Sequence, residues 1–305
     1  LLAQNNLSYD AELKATTGSI YLQADAPVGS LSGSFHRTPP AGHLAEIGND
    51  GLAADGTGTI SSGPNGTLVA PSGNSDIVMN APTSLQIGSG LTQAGGSVLV
   101  YSAENIRVLS NAEVEALNGH ITLFADSPTD AGGTVDWTAG GIGAGGADGT
   151  GTLTMEDDSW LRALGGGTGF GYAELYAASM VLDNIEARGN NSSGVSIDIN
   201  THDRGTGSVV SVTDIGDLTS STNNADIVFD LTSTAGAAGD IGQETGAQWT
   251  TTGTGSIIFD PAGTELRDVT LRGGISTGTG MPRPLRWRVF PRIWMIFRIS
   301  SHGIC

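Results

Sequence analysis

Apolar and small polar residues alternate along this chain in short runs, and the clearest set lies between Gly96 and Asp126. Three alternating segments follow one another there: Val98-Leu99-Val100, Ile106-Arg107-Val108 and Val114-Glu115-Ala116. Ser102 to Asn105, Ser110-Asn111 and Asn118-Gly119 separate them, and the first template then returns as Gly119-His120-Ile121-Thr122-Leu123. Strict alternation over β-branched residues predicts half-buried strands. Three strands of about five residues and three turns of about two to four would fill roughly 21–27 residues. The return from Val98 to Ile121 takes 23.

The template is a small or polar residue, an Ile, Val or Leu, any residue, then another apolar one. Its first apolar position falls at 20, 77, 98, 121, 153, 175, 197, 227 and 257, with Glu174-Leu175-Tyr176-Ala177 a weaker copy. The steps are 57, 21, 23, 32, 22, 22, 30 and 30 residues, and the step of 57 is expected to hide a further rung near Ile47 or Ile60. A fixed return with one strand template predicts an all-β solenoid, a parallel β-helix with rungs of about 22–30 residues. No rung buries its own apolar face; stacking rungs about 4.8 Å apart builds one continuous core. Ile20, Leu22, Ile77, Met79, Ile121, Leu123, Ile197, Ile199, Ile227 and Phe229 should point inward. Tyr21, Thr122, Asp198, Asp226 and Asp230 should point outward, and a slip of one residue would bury the aspartates.

Two other arrangements fit parts of the pattern. Asn118-Gly119 is a hairpin signal compatible with an antiparallel meander, although a meander does not require the same template every third strand. Tyr172 to Arg188 also reads as an amphipathic helix with Leu175, Ser179, Leu182 and Glu186 on one side. The rung reading is preferred there, because GYAELYAASMVLDNIEARG aligns with GSVLVYSAENIRVLSNAEVEA.

Composition agrees with many short strands joined by turns. The 305 residues include 47 Gly, and the formal net charge is −18. An acidic chain is a poor nucleic-acid ligand, since a phosphate backbone needs clustered Lys and Arg. The single Cys is Cys305, so the body holds neither a disulfide framework nor a Cys metal site. The opening Leu1-Leu2-Ala3-Gln4 has no Met and no leader pattern, and reads as a cut within a longer protein.

The segments GSIYLQA from Gly18, GSVLVYSA from Gly96, NGHITLFAD from Asn118 and AGDIGQ from Ala238 resemble the repeat region of filamentous-haemagglutinin-like exoproteins and autotransporter adhesins. The resemblance covers about residues 10 to 275. It implies a right-handed parallel β-helix on a large secreted or surface-tethered bacterial protein acting as a stalk, adhesin passenger or matrix component. The expected location is extracellular or on the outer cell surface, and the expected partners are host or matrix glycans or proteins. Membrane contact would come only through other parts of the parent protein.

Candidate chemistry is sparse. Glu113 and Glu115 lie two apart on one strand face, and Glu156-Asp157-Asp158 is a local acidic cluster; paired carboxylates of this kind do acid–base work. No set of acids, Arg or Lys across rungs is identifiable from spacing. Gly145-Gly146-Ala147-Asp148-Gly149 has a partial likeness to a glycine–aspartate calcium roll, without the full nonapeptide. His36 and His43 flank a Pro-Pro loop and His202 lies beside Asp203, none with metal-ligand spacing. Asn6, Asn65, Asn190 and Asn191 open glycosylation sequons that are also ordinary turns. No residue is assigned a catalytic, cofactor-binding or metal-binding role, and no cofactor is expected. A non-enzymatic structural or adhesive role is the leading reading; a polysaccharide lyase or hydrolase on the same fold is the alternative.

Residues 1–280 read as the β-helix segment, and residues 281–305 as a separate basic tail. The tail holds five of the 13 basic residues, two of the five Trp and no acid. Its change of composition suggests an out-of-frame or disordered stretch, with membrane-surface and partner-binding segments as alternatives. Pro291 and the five Arg argue against a membrane span. Thr264 to Leu271 still follows the strand pattern, so the helix is expected to be interrupted there, not finished.

Overall fold

The computed structural model describes residues 1–24 without 2, 4 and 5, residues 58–126 without 82, and residues 150–165, 170–203, 210–233, 239–260 and 266–277. Among these the secondary structure is strand and turn, wound in nine rungs. Rung 1 is β1 (Leu7–Tyr9), β2 (Glu12–Lys14) and β3 (Ile20–Gln23). Rung 2 is β4 (Thr59–Ser62), β5 (Thr67–Ala70) and β6 (Ile77–Ala81); rung 3 is β7 (Ser84–Ile87), β8 (Leu91–Ala94) and β9 (Val98–Ser102). Rung 4 is β10 (Asn105–Val108), β11 (Glu113–Ala116) and β12 (Ile121–Phe124); rung 5 is β13 (Thr152–Met155), β14 (Trp160–Ala163) and β15 (Ala173–Ala177). Rung 6 is β16 (Ser179–Val181), β17 (Asn184–Ala187) and β18 (Val195–Asp203); rung 7 is β19 (Ser211–Ile215), β20 (Leu218–Asn223) and β21 (Asp226–Ser233). Rung 8 is β22 (Gly239–Gln243), β23 (Gln248–Thr252) and β24 (Ile257–Asp260), and rung 9 is β25 (Leu266–Thr270) and β26 (Gly274–Thr277).

Every third strand pairs with the next in parallel. The first sheet runs β1-β4-β7-β10-β13-β16-β19-β22-β25 and the second β2-β5-β8-β11-β14-β17-β20-β23-β26. The third runs β3-β6-β9-β12-β15-β18-β21-β24. The chain is a parallel β-helix. Tyr172 to Arg188 forms no helix: it contributes β15, β16 and β17. Thr264 to Leu271 supplies β25.

The register departs from the sequence reading in two places. Ile20 pairs directly with Ile77, so the step of 57 contains no extra rung. Ile60 lies on β4 in the first sheet, and Ile47 falls outside the described residues. Leu153 also belongs to the first sheet, between Ile106 and Met180, while Ile121 pairs with Ala173. All three sheets share one inward alternation, so the template alone cannot tell them apart. The intervals from β3 to β4 and from β12 to β13 are the longest, and both fall at the corner joining the third sheet to the first. Lengthening a surface loop costs little extra closure entropy, so rungs tolerate insertions without losing register.

The inward set forms one core, with Leu22, Ile77, Met79, Ile121, Leu123, Ile197, Ile199, Ile227 and Phe229 fully buried. Ile20, at the start of β3, is only half-buried. Burying each Leu or Ile contributes roughly 1.5–3 kcal/mol. Toward rung 8 the core turns aromatic: Phe229 and Phe259 stack at 5.1 Å, and Trp249 lies 5.2 Å from Phe229. Trp249 Nε1 donates to the Gly216 carbonyl at 3.0 Å, so its polar atom is satisfied inside the core.

Polar corners lock each rung to the next. Asn6 Oδ1 accepts from the N–H and hydroxyl of Thr59, Asn105 Oδ1 from those of Thr152, and Asn224 Oδ1 from those of Thr254. Asp76 Oδ1 accepts from Ser97 N, and Asp226 Oδ1 from Ser256 N. These side chains satisfy backbone donors that the sheets leave open at each bend. The tightest bends need left-handed backbone, which Asn111 and Asp158 adopt at φ 59° and 64° between the first and second sheets. A Cβ on Gly119 would meet the Gly96 carbonyl carbon at 2.6 Å, so glycine stacks on glycine there.

Candidate functional site

The outer surface of the third sheet carries the most distinctive arrangement. Alternation places two outward side chains on most of its strands, and parallel register aligns them in columns. One column reads Tyr21, Val78, Leu99, Thr122, Glu174, Asp198 and Val228. The other reads Gln23, Asn80, Tyr101, Phe124, Tyr176, Asn200 and Asp230.

The second column forms an aromatic row over rungs 3 to 5. The Tyr101 and Phe124 ring centroids are 6.2 Å apart, and those of Phe124 and Tyr176 are 4.9 Å apart. At the strand entrance His120 stacks on Tyr172 at 4.7 Å and 4°. His120 Nδ1 lies 3.2 Å from Ser97 Oγ. The rings are half-buried. Burial and then the Glu174 charge push the Tyr172 phenol up to about 12; the same two causes raise Tyr101 and Tyr176 further.

Glu174 and Asp198 stand next to each other in the first column. Burial pushes the Asp198 carboxyl up to about 6, the Asp230 charge adds to this, and a hydrogen bond from Asn200 opposes it. Burial and then the Asp198 charge raise Glu174, while a hydrogen bond from Asn191 lowers it. Two crowded, partly desolvated carboxyls favour holding a proton. Such a pair accepts hydrogen bonds as carboxylate, donates one as acid, and has the elements of acid–base chemistry.

The amide of Asn80, 1% exposed, closes one end of the aromatic row, and neither Nδ2 nor Oδ1 has a hydrogen-bond partner among the described residues. At the other end Asn200 Nδ2 is buried and faces the Asp198 carboxyl. Thr122, expected outward, does occupy an outward position but is only 6% exposed. Its neighbours Leu99 and Glu174 crowd it from either rung.

The second sheet brings together the acids singled out in the sequence. Arg162 lies in register with Glu115 on one side and Glu186 on the other. It ion-pairs with Glu113, approaches Glu115 at 3.8 Å and Glu186 at 4.0 Å, and sits 4.6 Å over the Trp160 ring. A set of acids and Arg across rungs therefore exists that spacing does not identify, because the insertion between rungs 4 and 5 separates its members in sequence. Its carboxylates are occupied by the guanidinium. Glu156 is held by Arg107 and by both the N–H and hydroxyl of Ser110. Burial acts to raise its carboxyl, but these hydrogen bonds outweigh that and keep it below the usual range. Asp158 serves the turn.

The other sequence candidates contribute no geometry. His36, His43 and Gly145 to Gly149 lie outside the described residues, as does the tail from 281 to 305, and of His202 only the backbone on β18 is described. Asn65, Asn190 and Asn191 sit in turns, and Asn191 Oδ1 accepts from Ser193 N and Val195 N. Among the described residues no group of three or more His, Cys, Asp or Glu side chains is placed to hold a metal ion.

The aromatic row was missed in the sequence although it had a signal. Tyr101, Phe124 and Tyr176 each follow the second inward residue of the template, in VLVY, ITLF and AELY. The Glu174–Asp198 pair is hidden in the sequence because Leu175 reads as the first inward position, where the register uses Ala173.

The fold and its outer faces define a parallel β-helix with one aromatic and acidic face. No family model, curated protein or solved structure matches the chain.

Proposed function

We propose that the chain is a structural and adhesive segment of a large secreted or surface-exposed bacterial β-helix protein, serving as stalk or adhesin passenger. The carrying observation is the unbroken parallel stack of three sheets, whose corner Asn and Asp are spent on rung-to-rung hydrogen bonds. Such a stack supplies length and repeated outer surface. The resemblance of its repeats to filamentous-haemagglutinin-like exoproteins supports an extracellular setting with glycan or protein partners. Beads coated with the chain should adhere to epithelial cells or extracellular matrix above uncoated controls. Adhesion equal to that of uncoated beads would remove the adhesive half of the reading.

The Glu174–Asp198 pair favours a second reading, a polysaccharide lyase or hydrolase on the same fold. Here a protonated carboxyl and its carboxylate neighbour would act as acid and base. Product release from plant or microbial polysaccharides, abolished by both Glu174→Gln and Asp198→Asn, would establish it. Release unchanged by either substitution, or none from any polymer, would discard it.

A further inference from the structure

We propose that the outer face of the third sheet binds a neutral polysaccharide strand, laid along the solenoid axis over Tyr101, Phe124 and Tyr176. This inference rests on the adhesive reading and names its site and ligand class. Three features on one face point the same way. The rings recur on successive rungs of one column, so the row runs along the axis in steps set by strand spacing, about 4.8 Å. A polymer of pyranose rings presents apolar C–H faces that cover aromatic rings, with hydroxyls directed to the rims.

The polar groups beside the row complete the match. Asn80, at one end, carries a buried amide whose Nδ2 and Oδ1 have no partner among the described residues, and Asn200, at the other, faces the Asp198 carboxyl. Buried amides normally have partners, so Asn80 marks a place where an ordered water is to be expected at the end of the row. Hydroxyls both donate and accept, which suits the Glu174–Asp198 pair alongside the row. Asp230 follows Asn200 in the same column. Three carboxyls along this flank disfavour uronate or sulfated polymers, so the ligand should be uncharged.

A peptide fits less well. The strands of this face are already hydrogen-bonded on both sides through rungs 2 to 7, so there is no free edge to extend. Peptide groups lying on the rings would lose water without gaining partners.

The test uses the full chain titrated with cellohexaose, chitohexaose and mannohexaose, and with polygalacturonate and gelatin as charged and protein counterparts. At least one neutral hexasaccharide should bind. Tyr176→Ala and Phe124→Ala should weaken that binding about ten-fold or more, as for an aromatic anchor. Tyr176→Phe should retain it, and Thr250→Ala on the second sheet should leave it unchanged. The melting transition of each variant shows whether the fold survives. Three results would overturn the proposal: no neutral hexasaccharide binding, binding that persists in Tyr176→Ala, or binding confined to polygalacturonate or gelatin. Bead adhesion that survives Tyr176→Ala removes this site while leaving the adhesive reading. Hexasaccharide binding by a chain whose beads do not adhere does the reverse.

Discussion

Asp198 sits one rung beyond Glu174 in the same outward column, and both carboxyls keep their protons to higher pH than free ones. Asp183 behaves alike: burial, opposed by the Ser159 N–H, pushes it to about 6, and nearby Glu244, Asp158 and Asp157 add to the rise. Each folded value lies above the unfolded one, near 4, so the native chain holds more protons than the unfolded chain between pH about 4 and 6. This contribution is complete below pH about 4 and is lost as pH rises through about 6. Glu156 has the opposite sign, but its change falls below the ordinary glutamate range.

Thermal stability should therefore fall between pH 5 and pH 7. Asp198→Asn should reduce that slope and raise stability at pH 7 by about 1 kcal/mol, the shift being discounted for remaining solvent exposure. A pH series of melting curves checks this; a wild-type transition that rises from pH 5 to pH 7 contradicts it.

Register can be tested by placing a charge on either side of one sheet layer. Ile121 is fully buried, whereas Thr250 points outward between Thr219 and Ser276. Ile121→Asp should cost about 4 kcal/mol or more, through lost burial and a buried charge. Thr250→Asp should stay within about 0.5 kcal/mol. Thr122→Asp should also cost stability despite its outward position, because Thr122 is covered and its rung neighbour is Glu174. Equal urea midpoints for Ile121→Asp and Thr250→Asp would refute the register.

The fold was legible because one property repeats: inward apolar residues recur at the same place in each turn. The strands β9, β10, β11 and β12 were readable residue by residue. What alternation cannot convey is which sheet a strand joins after a long insertion. Leu153 therefore reads as a third-sheet residue although it lies on the first, and Ala173, a small inward residue, carries little hydrophobic signal. The outer face depends on lateral neighbours from different rungs. Glu174 meets Asp198, and Glu115 meets Arg162, only once the register is known.

Corner side chains should carry measurable stability. Asn105 Oδ1 accepts from Thr152 N at 3.1 Å and from Thr152 Oγ1 at 2.7 Å across an insertion-bearing rung. Asn105→Ala should destabilise by about 1 kcal/mol, and Asn105→Asp, which keeps the acceptor, by less. Urea unfolding measures both, and an Asn105→Ala midpoint equal to wild type would show that solvent replaces these bonds at no cost.

Arg162 holds together the densest charge cluster on the second sheet. Its guanidinium faces Glu113, Glu115 and Glu186 and covers Trp160, with the arginine about one-third exposed. A single exposed pair is worth little, but here Arg162 separates three carboxylates on a chain that is already acidic, with only Glu186 also paired to a second cation, Arg188, at 2.7 Å. Arg162→Ala removes the attraction, uncovers Trp160 and leaves the carboxylates facing one another. The expected loss is about 2 kcal/mol at low salt. Arg162→Lys keeps the charge but loses the planar fork and much of the ring contact, so it should recover only about half. Screening weakens repulsion between exposed charges, so the Arg162→Ala deficit should shrink markedly in 1 M sodium chloride. Urea midpoints at both salt concentrations decide it. A deficit that is the same at low and high salt would assign the effect to packing on Trp160, and no deficit at low salt would mean that the cluster adds nothing to the fold.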